Sequence, residues 1–316
     1  MTELHFAAVV VLAYLGDIVL GDPPNRFHPV AWMGNAIGLV RRSAPKSGDL
    51  VRFGWGIGLV CGGMVFMGVV GWIVQRTCQF CPAVVSIVVQ SVVLKCSFSI
   101  SSLSKAAKGV STALRNEDID AARHEVAYHL VSRDVSKLDA SKLSAATIES
   151  VAENTSDSVI APLFYFAIAG LPGALAYRFV NTCDAMIGYR TAELEWFGKA
   201  AARTDDVLNW LPARITAILI LLVEGIRNGR FRKAMAIWMR DHRLTASPNA
   251  GHPMSAAAGV LGVVLEKDGH YVLGAGESKP TAATIEQSIR LLWETSLAGG
   301  LLFIATVFLC GWGQSP

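Results

Sequence analysis

Charge is the first thing this sequence has little of. Of 316 residues, only 17% are Asp, Glu, Lys or Arg, while 52% are hydrophobic. An ordinary soluble domain carries about 25% charged residues. The deficit sits in a few runs, which argues against a soluble globular protein and for a membrane one. Net charge is only +3, too small to argue for nucleic acid as a partner. The cations cluster beside apolar runs, where they report topology. Cysteine is also sparse. Of six, Cys78 and Cys81 alone form a C-x-x-C, and a zinc ribbon needs a second pair or nearby histidines. The pair therefore reads as part of a short turn between spans, able to form a disulfide only in an oxidising compartment. No G-x-x-x-x-G-K-[ST], G-x-S-x-G or H-E-x-x-H occurs, so a Walker A loop, a nucleophile elbow and a zincin helix are all excluded. There is no internal repeat and no low-complexity linker. The opening MTELHFAAVVVLAYLGD lacks the basic start of a signal peptide and carries Glu3; it is expected to be retained.

What is present is a set of apolar runs. Residues 53–74 hold no charge and match the length needed to cross a bilayer, with glycines suited to close helix packing in lipid. Arg41, Arg42, Lys46 and Arg52 lie before this run and only Arg76 just after it, which places the 21–52 loop in the cytoplasm. The run from Pro82 is expected to return across the membrane. Residues 5–20 and 295–313 are the expected first and last spans. Residues 159–180, interrupted by Gly170-Leu171-Pro172-Gly173, and 210–223, which carry Arg214, could span; a re-entrant or partly buried placement is preferred, because it keeps 181–206 on the cytoplasmic side. Between 101 and 157 the chain turns polar, and residues 115–138 show the three- and four-residue steps of a solvated amphipathic helix. Residues 224–243 are strongly basic, hence cytoplasmic. The segment YVLGAGESKP reads as a short extended piece and a turn. The expected fold is all-α: one polytopic membrane domain over 1–316 with cytoplasmic helical loops. The sequence carries no signal of oligomeric state.

Five polar islands interrupt this pattern. In GDIVLGDPPNRFHPV, Asp17 lies near the end of a span, where a carboxylate is costly and so a functional candidate; Asp22, Arg26 and His28 follow in a proline-held turn. ESVAENTSD puts Glu149, Glu153 and Asp157 at i, i+4 and i+8 beside Asn154. On one helix face these acids repel one another. A dipole-complementing helix start accounts for one acid, not three; a hard cation would relieve the repulsion, and Mg²⁺ typically takes one or two carboxylates with substrate phosphates. The 181–206 island combines Asn181, Asp184, Tyr189, Arg190, Lys199, Arg203, Asp205 and Asp206. Its cations suit phosphate or carboxylate, against the competing reading of surface ion pairs worth little each. Ser247-Pro248-Asn249-Ala250-Gly251-His252-Pro253 must turn before a small-residue helix, giving either an anion site at the helix start or an ordinary cap by Ser255. The fifth island is GAGESKP. Residue chemistry alone fits an enzyme acting on a charged substrate with Mg²⁺, a transporter or a sensor.

Across LGD…GDPPNRFHPV, ESVAENTSDSVIAPLFY, YRFVNTCDAMIGYR, FGKAAARTDDVLNWLPARITA and SPNAGHPMSAAAGVLGV, the sequence resembles the adenosylcobinamide-phosphate synthase (cobinamide synthase) family of cobalamin biosynthesis. The match runs in order over about 17–274, and its blocks are long and specific. The resemblance implies an integral enzyme of the cell (inner) membrane with its active loops in the cytoplasm. It implies amide formation between adenosylcobyric acid and (R)-1-aminopropan-2-ol O-phosphate, or aminopropanol itself, with ATP as co-substrate and Mg²⁺; the cobalt corrinoid is then substrate, not cofactor. The expected catalytic residues are Glu149, Glu153, Asp184, Arg190 and Lys199, with Glu153, Asp157 and Asp184 toward metal. Asp17, Asp22, His28, Asn154, Asn181, Tyr189, Arg203, Ser247, Asn249, Gly251 and His252 are expected to bind substrate. The expected partners are the corrinoid, the amino alcohol and membrane lipid. Two readings compete: a non-catalytic membrane sensor, and a corrinoid transporter using Asp17, although no matched pair of broken repeat helices is evident.

Overall fold

The computed structural model describes residues 2–310. In chain order the helices are α1 (Glu3–Leu20), α2 (Pro29–Ser43), α3 (Asp49–Cys78), α4 (Ala83–Lys95), α5 (Ser101–Arg115), α6 (Ile119–His129) and α7 (Ala140–Thr155). A π-turn, Ser156–Ile160, joins α7 to α8 (Ala161–Ile187). After α9 (Lys199–Leu208) and α10 (Trp210–Ile220) comes a second π-turn, Leu221–Gly225, then α11 (Phe231–Asp241) and α12 (Gly251–Leu261). A hairpin of β1 (Leu265–Lys267) and β2 (Tyr271–Leu273) precedes α13 (Ala282–Cys310). The described residues are thus all-α apart from one small hairpin. Among them, four helical stretches are long and apolar enough to cross a membrane: Glu3–Leu20, Asp49–Cys78, Ala140–Ile187 and Ala282–Cys310. A fifth, Lys199–Leu208 with Trp210–Gly225, is bent by 48°. This is a polytopic membrane protein.

The chain packs as two compact units. The first takes Met1–Ser99, Ala161–Asn209 and Gly300–Pro316. Its α1 starts on Thr2, whose side chain accepts from the His5 amide, and stops at Gly21, with φ 65. Its centre is the pairing of α3 with α8. A Cβ at Gly56 would lie 2.1 Å from the Phe197 carbonyl oxygen, at Gly63 2.0 Å from the Phe179 ring, and at Gly71 2.6 Å from the Pro172 nitrogen. A Cβ at Gly54, Gly58, Gly62 or Gly68 would meet nothing within 4 Å beyond α3 itself. One glycine row lets the backbones meet, as helices in lipid require; the others face away. Elsewhere on α3, Phe66, Trp72 and Ile73 are exposed, as on a surface solvated by lipid. Helix α8 breaks at Gly170, with φ 65 and ψ −153, a region open almost only to glycine. The amide thereby released, that of Leu171, donates to Gln75 Oε1 of α3 at 3.1 Å.

Helix α4 departs from expectation. It ends at Lys95 after 13 residues, about 20 Å at helical rise, short of the ~30 Å hydrocarbon core. Its buried residues include Ser86, Gln90, Ser91 and Lys95, so one face packs as a polar stripe against protein. Cys78 is the last residue of α3 and Cys81 lies in the turn that follows; both are free thiols.

The second unit takes Ile100–Ile160 and Trp210–Gly299. Helix α12 is buried from Gly251 to Val260, packed on α7, α10 and α11. Small residues permit this: a Cβ at Gly259 would sit 2.7 Å from Ala234 Cα. The amphipathic helix expected over 115–138 is shorter. Glu117 turns to φ 59, Asp118 caps the new start by accepting from the Ala121 amide, and α6 ends at His129. The extended piece at Tyr271 is β2, paired antiparallel with β1 so that Lys267 faces Tyr271. The last expected span is present in α13; its residues 311–313 lie outside the described residues.

Candidate active site

In the second unit, α7 carries Glu149 and Glu153 one turn apart, and the π-turn carries Asp157. The widened turn interrupts the regular i+4 spacing that the sequence implies for the third acid; π-turns are frequent at functional sites. Asn154 spans the transition: its amide donates to the Ser150 carbonyl at 2.9 Å, and its Oδ1 accepts from Ser158 at 3.1 Å. Glu149 is 6% exposed. Arg133 donates to its Oε2 at 3.3 Å, while buried Oε1 has no hydrogen-bond partner. Tyr271 faces both acids; burial first, then the charges of Glu149 and Glu153, push its phenol well above the ordinary value.

The 247–253 turn builds a second group in the same unit. Ser247 Oγ accepts from the amides of Asn249 (3.2 Å) and Ala250 (3.3 Å). Ser255 is not the cap; its hydroxyl donates back to the Gly251 carbonyl at 2.5 Å. Gly251 is required by contact, since a Cβ there would lie 2.2 Å from the His242 carbonyl oxygen. Asn249 is buried and accepts from Arg214 at 3.4 Å. His252 is buried beside His242, ring centroids 4.6 Å apart. The Trp238 indole donates to His252 Nδ1 at 3.1 Å, which leaves the proton of the neutral ring on Nε2. Burial, with Arg214 next and then His242 and Arg243, lowers this imidazole to about 4. His252 is therefore a neutral donor at Nε2 near pH 7, suited to an anion or an amide carbonyl.

The first unit holds the remaining candidates. Asp184 lies over Gly188, where a Cβ would come within 2.0 Å of Asp184 Oδ1. Asn181 and Asn209 both donate to the buried Asp205, at 3.4 and 2.9 Å, and Tyr177 donates to Asn209 at 2.8 Å. Arg203 pairs with Asp206 at 3.6 Å, the surface-pair arrangement the sequence left open. Lys199 lies over the Trp196 ring at 4.3 Å, and Tyr189 and Arg190 are exposed. Asp17 is fully buried and pairs with Lys95 at 2.9 Å; the same ammonium bonds Asp22. Ser99 donates to Asp22 at 2.6 Å, and His28 stands 3.9 Å from it.

Neither composition nor spacing points to Arg133, Trp238, His242 or Tyr271, and Arg214 reads in the sequence only as a charge within a candidate span. For Lys95 a signal existed: it is the lone charge in residues 82–100, and an ionisable group in an apolar run implies a partner. Among the described residues no three His, Cys, Asp or Glu side chains group to hold a metal ion. Mg²⁺ needs only one or two protein carboxylates, completing its shell with phosphate and water, and the buried Glu149 Oε1, without a hydrogen-bond partner, is an oxygen of the type it takes.

Fold and site together define a polytopic, all-α membrane protein carrying buried carboxylate, amide and imidazole groups of the kind that handle a polar, charged ligand. The CobD/Cbib protein family matches residues 10–292, and the chain belongs to that family. It is 43% identical over 307 residues, 96% of this chain and 98% of the relative, to a cobalamin biosynthesis protein CobD of Dehalococcoides mccartyi. It is 38% identical over 304 residues, 95% and 98% of the two chains, to a probable cobalamin biosynthesis protein CobD of Pyrococcus furiosus. A probable cobalamin biosynthesis protein CobD of Methanothermobacter thermautotrophicus is 36% identical over 310 residues, 94% and 98%. No solved structure matches the chain.

Proposed function

We propose that this protein is a membrane enzyme of cobalamin biosynthesis that joins adenosylcobyric acid to (R)-1-aminopropan-2-ol O-phosphate, or to aminopropanol, with ATP and Mg²⁺. The observation that carries the pathway is the family match over residues 10–292. The reaction class rests on chemistry. A carboxylate does not acylate an amine at neutral pH, because O⁻ is a very poor leaving group. Phosphoryl transfer from ATP to the propionate gives an acyl phosphate; the amine attacks its carbonyl carbon, the C–O bond to phosphate breaks, and the ammonium proton passes to a base.

In this reading Glu149, Glu153 and Asp157 in the second unit, and Asp184 in the first, are each candidates to hold Mg²⁺ or receive the amine proton; Mg²⁺, when bound, would supply charge stabilisation to phosphoryl oxygens. Glu149 suits the proton, since its buried Oε1 has no partner and a positioned carboxylate is an effective base. Arg190, Lys199 and Arg203 take phosphates as solvent-accessible cations. Asn249, the Gly251 backbone and His252 grip an anion or a corrinoid side-chain amide. The Asp17–Lys95–Asp22 cluster with His28, Asn181 and Tyr189 in the first unit, and Asn154 and Ser247 in the second, are further candidates for substrate contacts. The active loops face the cytoplasm, where ATP is.

The test is ATP-dependent amide formation in purified membranes from corrinoid acid and amine. Glu153→Gln and Asp184→Asn are each expected to lower the rate about 100-fold or more. Wild-type rates in both would overturn the assignment of these acids. ATP hydrolysis that ignores corrinoid and amine would overturn the ligase itself.

A further inference from the structure

The first unit contains a concavity of about 830 Å³ that the proposed chemistry does not use. Arg41, Arg42, Lys46 and Arg52 line it, over Met186 and Phe197. The one acid in its wall is Glu193, held by Arg41 at 2.7 Å. That hydrogen bond and charge, with Arg52 adding, keep the Glu193 carboxyl below its usual value. Arg42, Lys46 and Arg52 make no ion pair with any described residue. Four cations around one carboxylate concentrate positive potential in a hollow, where folding alone gains nothing from it. Guanidinium groups match phosphate oxygens in pairs.

Position identifies what carries the phosphate. Beside Arg52, in the first turns of a membrane span, Leu50 is 82%, Val51 53% and Trp55 42% exposed. Exposed aliphatic groups and a tryptophan next to cations mark the level of lipid headgroups. Basic hollows at that level bind anionic phospholipids. We propose that this hollow holds the phosphate of an anionic phospholipid, with Arg42, Lys46 and Arg52 on the phosphate and the acyl chains along α3.

The chemistry recognised is a phosphate ester, and the experiment separates lipid from soluble sources. The full chain in neutral detergent is titrated with phosphatidylglycerol, phosphatidylcholine or inorganic phosphate, reading thermal unfolding and bound lipid by native mass spectrometry. Phosphatidylglycerol is expected to bind saturably and raise Tm, phosphatidylcholine to do neither, and inorganic phosphate neither to mimic nor to displace the lipid. The Arg42→Gln, Lys46→Gln double variant is expected to fold with unchanged lipid-free Tm and to bind phosphatidylglycerol about thirtyfold more weakly. Equal response to phosphatidylcholine, or unchanged affinity in the double variant, overturns the site. Saturation by inorganic phosphate at these cations, with no phosphatidylglycerol response, overturns the lipid as its source. Neither readout involves amide formation, so this result and that of the ligase test are independent.

Discussion

Lys95 shows at the residue scale how a single ammonium can hold two carboxylates. It binds the fully buried Asp17 and the part-buried Asp22 at once. Removing one partner of a buried ion pair leaves an uncompensated charge and costs roughly 3–5 kcal/mol. Lys95→Met is therefore expected to lose that much stability by chemical unfolding, and Asp17→Asn in the same background to recover part of it. Additive losses would show that the two groups do not interact. His252 gives a pH dependence of definite sign. Its pKa is about 4 in the folded protein against 6.5 for the free side chain. The unfolded chain binds the proton more tightly, so stability falls as pH drops from about 6.5 toward 4. Glu277 acts in a lower window. Burial would raise its carboxyl, but hydrogen bonds from Lys233 and Arg230 outweigh burial and lower it; its contribution is present above 4.5 and lost as pH falls below that value. Tm between pH 7 and 5 is expected to fall less steeply in His252→Gln than in wild type. Parallel curves would show that the imidazole is not held neutral.

At the scale of elements, α3 carries glycines on all sides, and only the packed row bears on folding. Gly63 and Gly71 meet Phe179 and Pro172, whereas a Cβ at Gly62 would meet nothing within 4 Å beyond α3 itself. Gly63→Leu and Gly71→Leu are expected to lower stability by about 1–3 kcal/mol or more through overpacking, and Gly62→Leu to leave it nearly unchanged, judged by Tm in detergent. Equal effects at 62 and 63 would mean that α3 and α8 do not pack on this face. Gly170 follows the same logic for a different reason. Its dihedrals exclude a Cβ on conformational grounds, and Gln75 occupies the space a Cβ would take. The Gly170-Leu171-Pro172-Gly173 interruption, visible in the sequence, is thus a break whose released amide is satisfied from a neighbouring helix, as the bilayer interior demands.

For the whole molecule, the proposed function requires ATP-facing loops on the cytoplasmic side. In a variant with its six cysteines replaced by serine, Ser47→Cys and Ala246→Cys are expected to react with an impermeant maleimide only after the cells are permeabilised. Gln79→Cys, at the far end of α3, is expected to react in intact cells. The reverse pattern would put the candidate loops away from ATP and remove the ligase reading.

The sequence by itself determined the solvent and the alphabet of this protein. Low charge confined to short blocks dictates lipid-facing helices, because apolar runs of spanning length have no other stable environment. The same contrast makes the polar islands conspicuous, so the blocks holding Asp17, Glu149, Asp184 and Asn249 stand out, while the choice of individual residues within them rests on the family resemblance. Only the tertiary structure decided the pairings. Lys95 lies 78 residues beyond Asp17, too far for any local pattern to link them. A sequence period cannot reveal that the turn at Ser156–Ile160 widens and breaks the i+4 register before Asp157. Which glycines of α3 meet α8 depends on the rotation of one helix against another, and that rotation is set by side-chain packing distant in sequence.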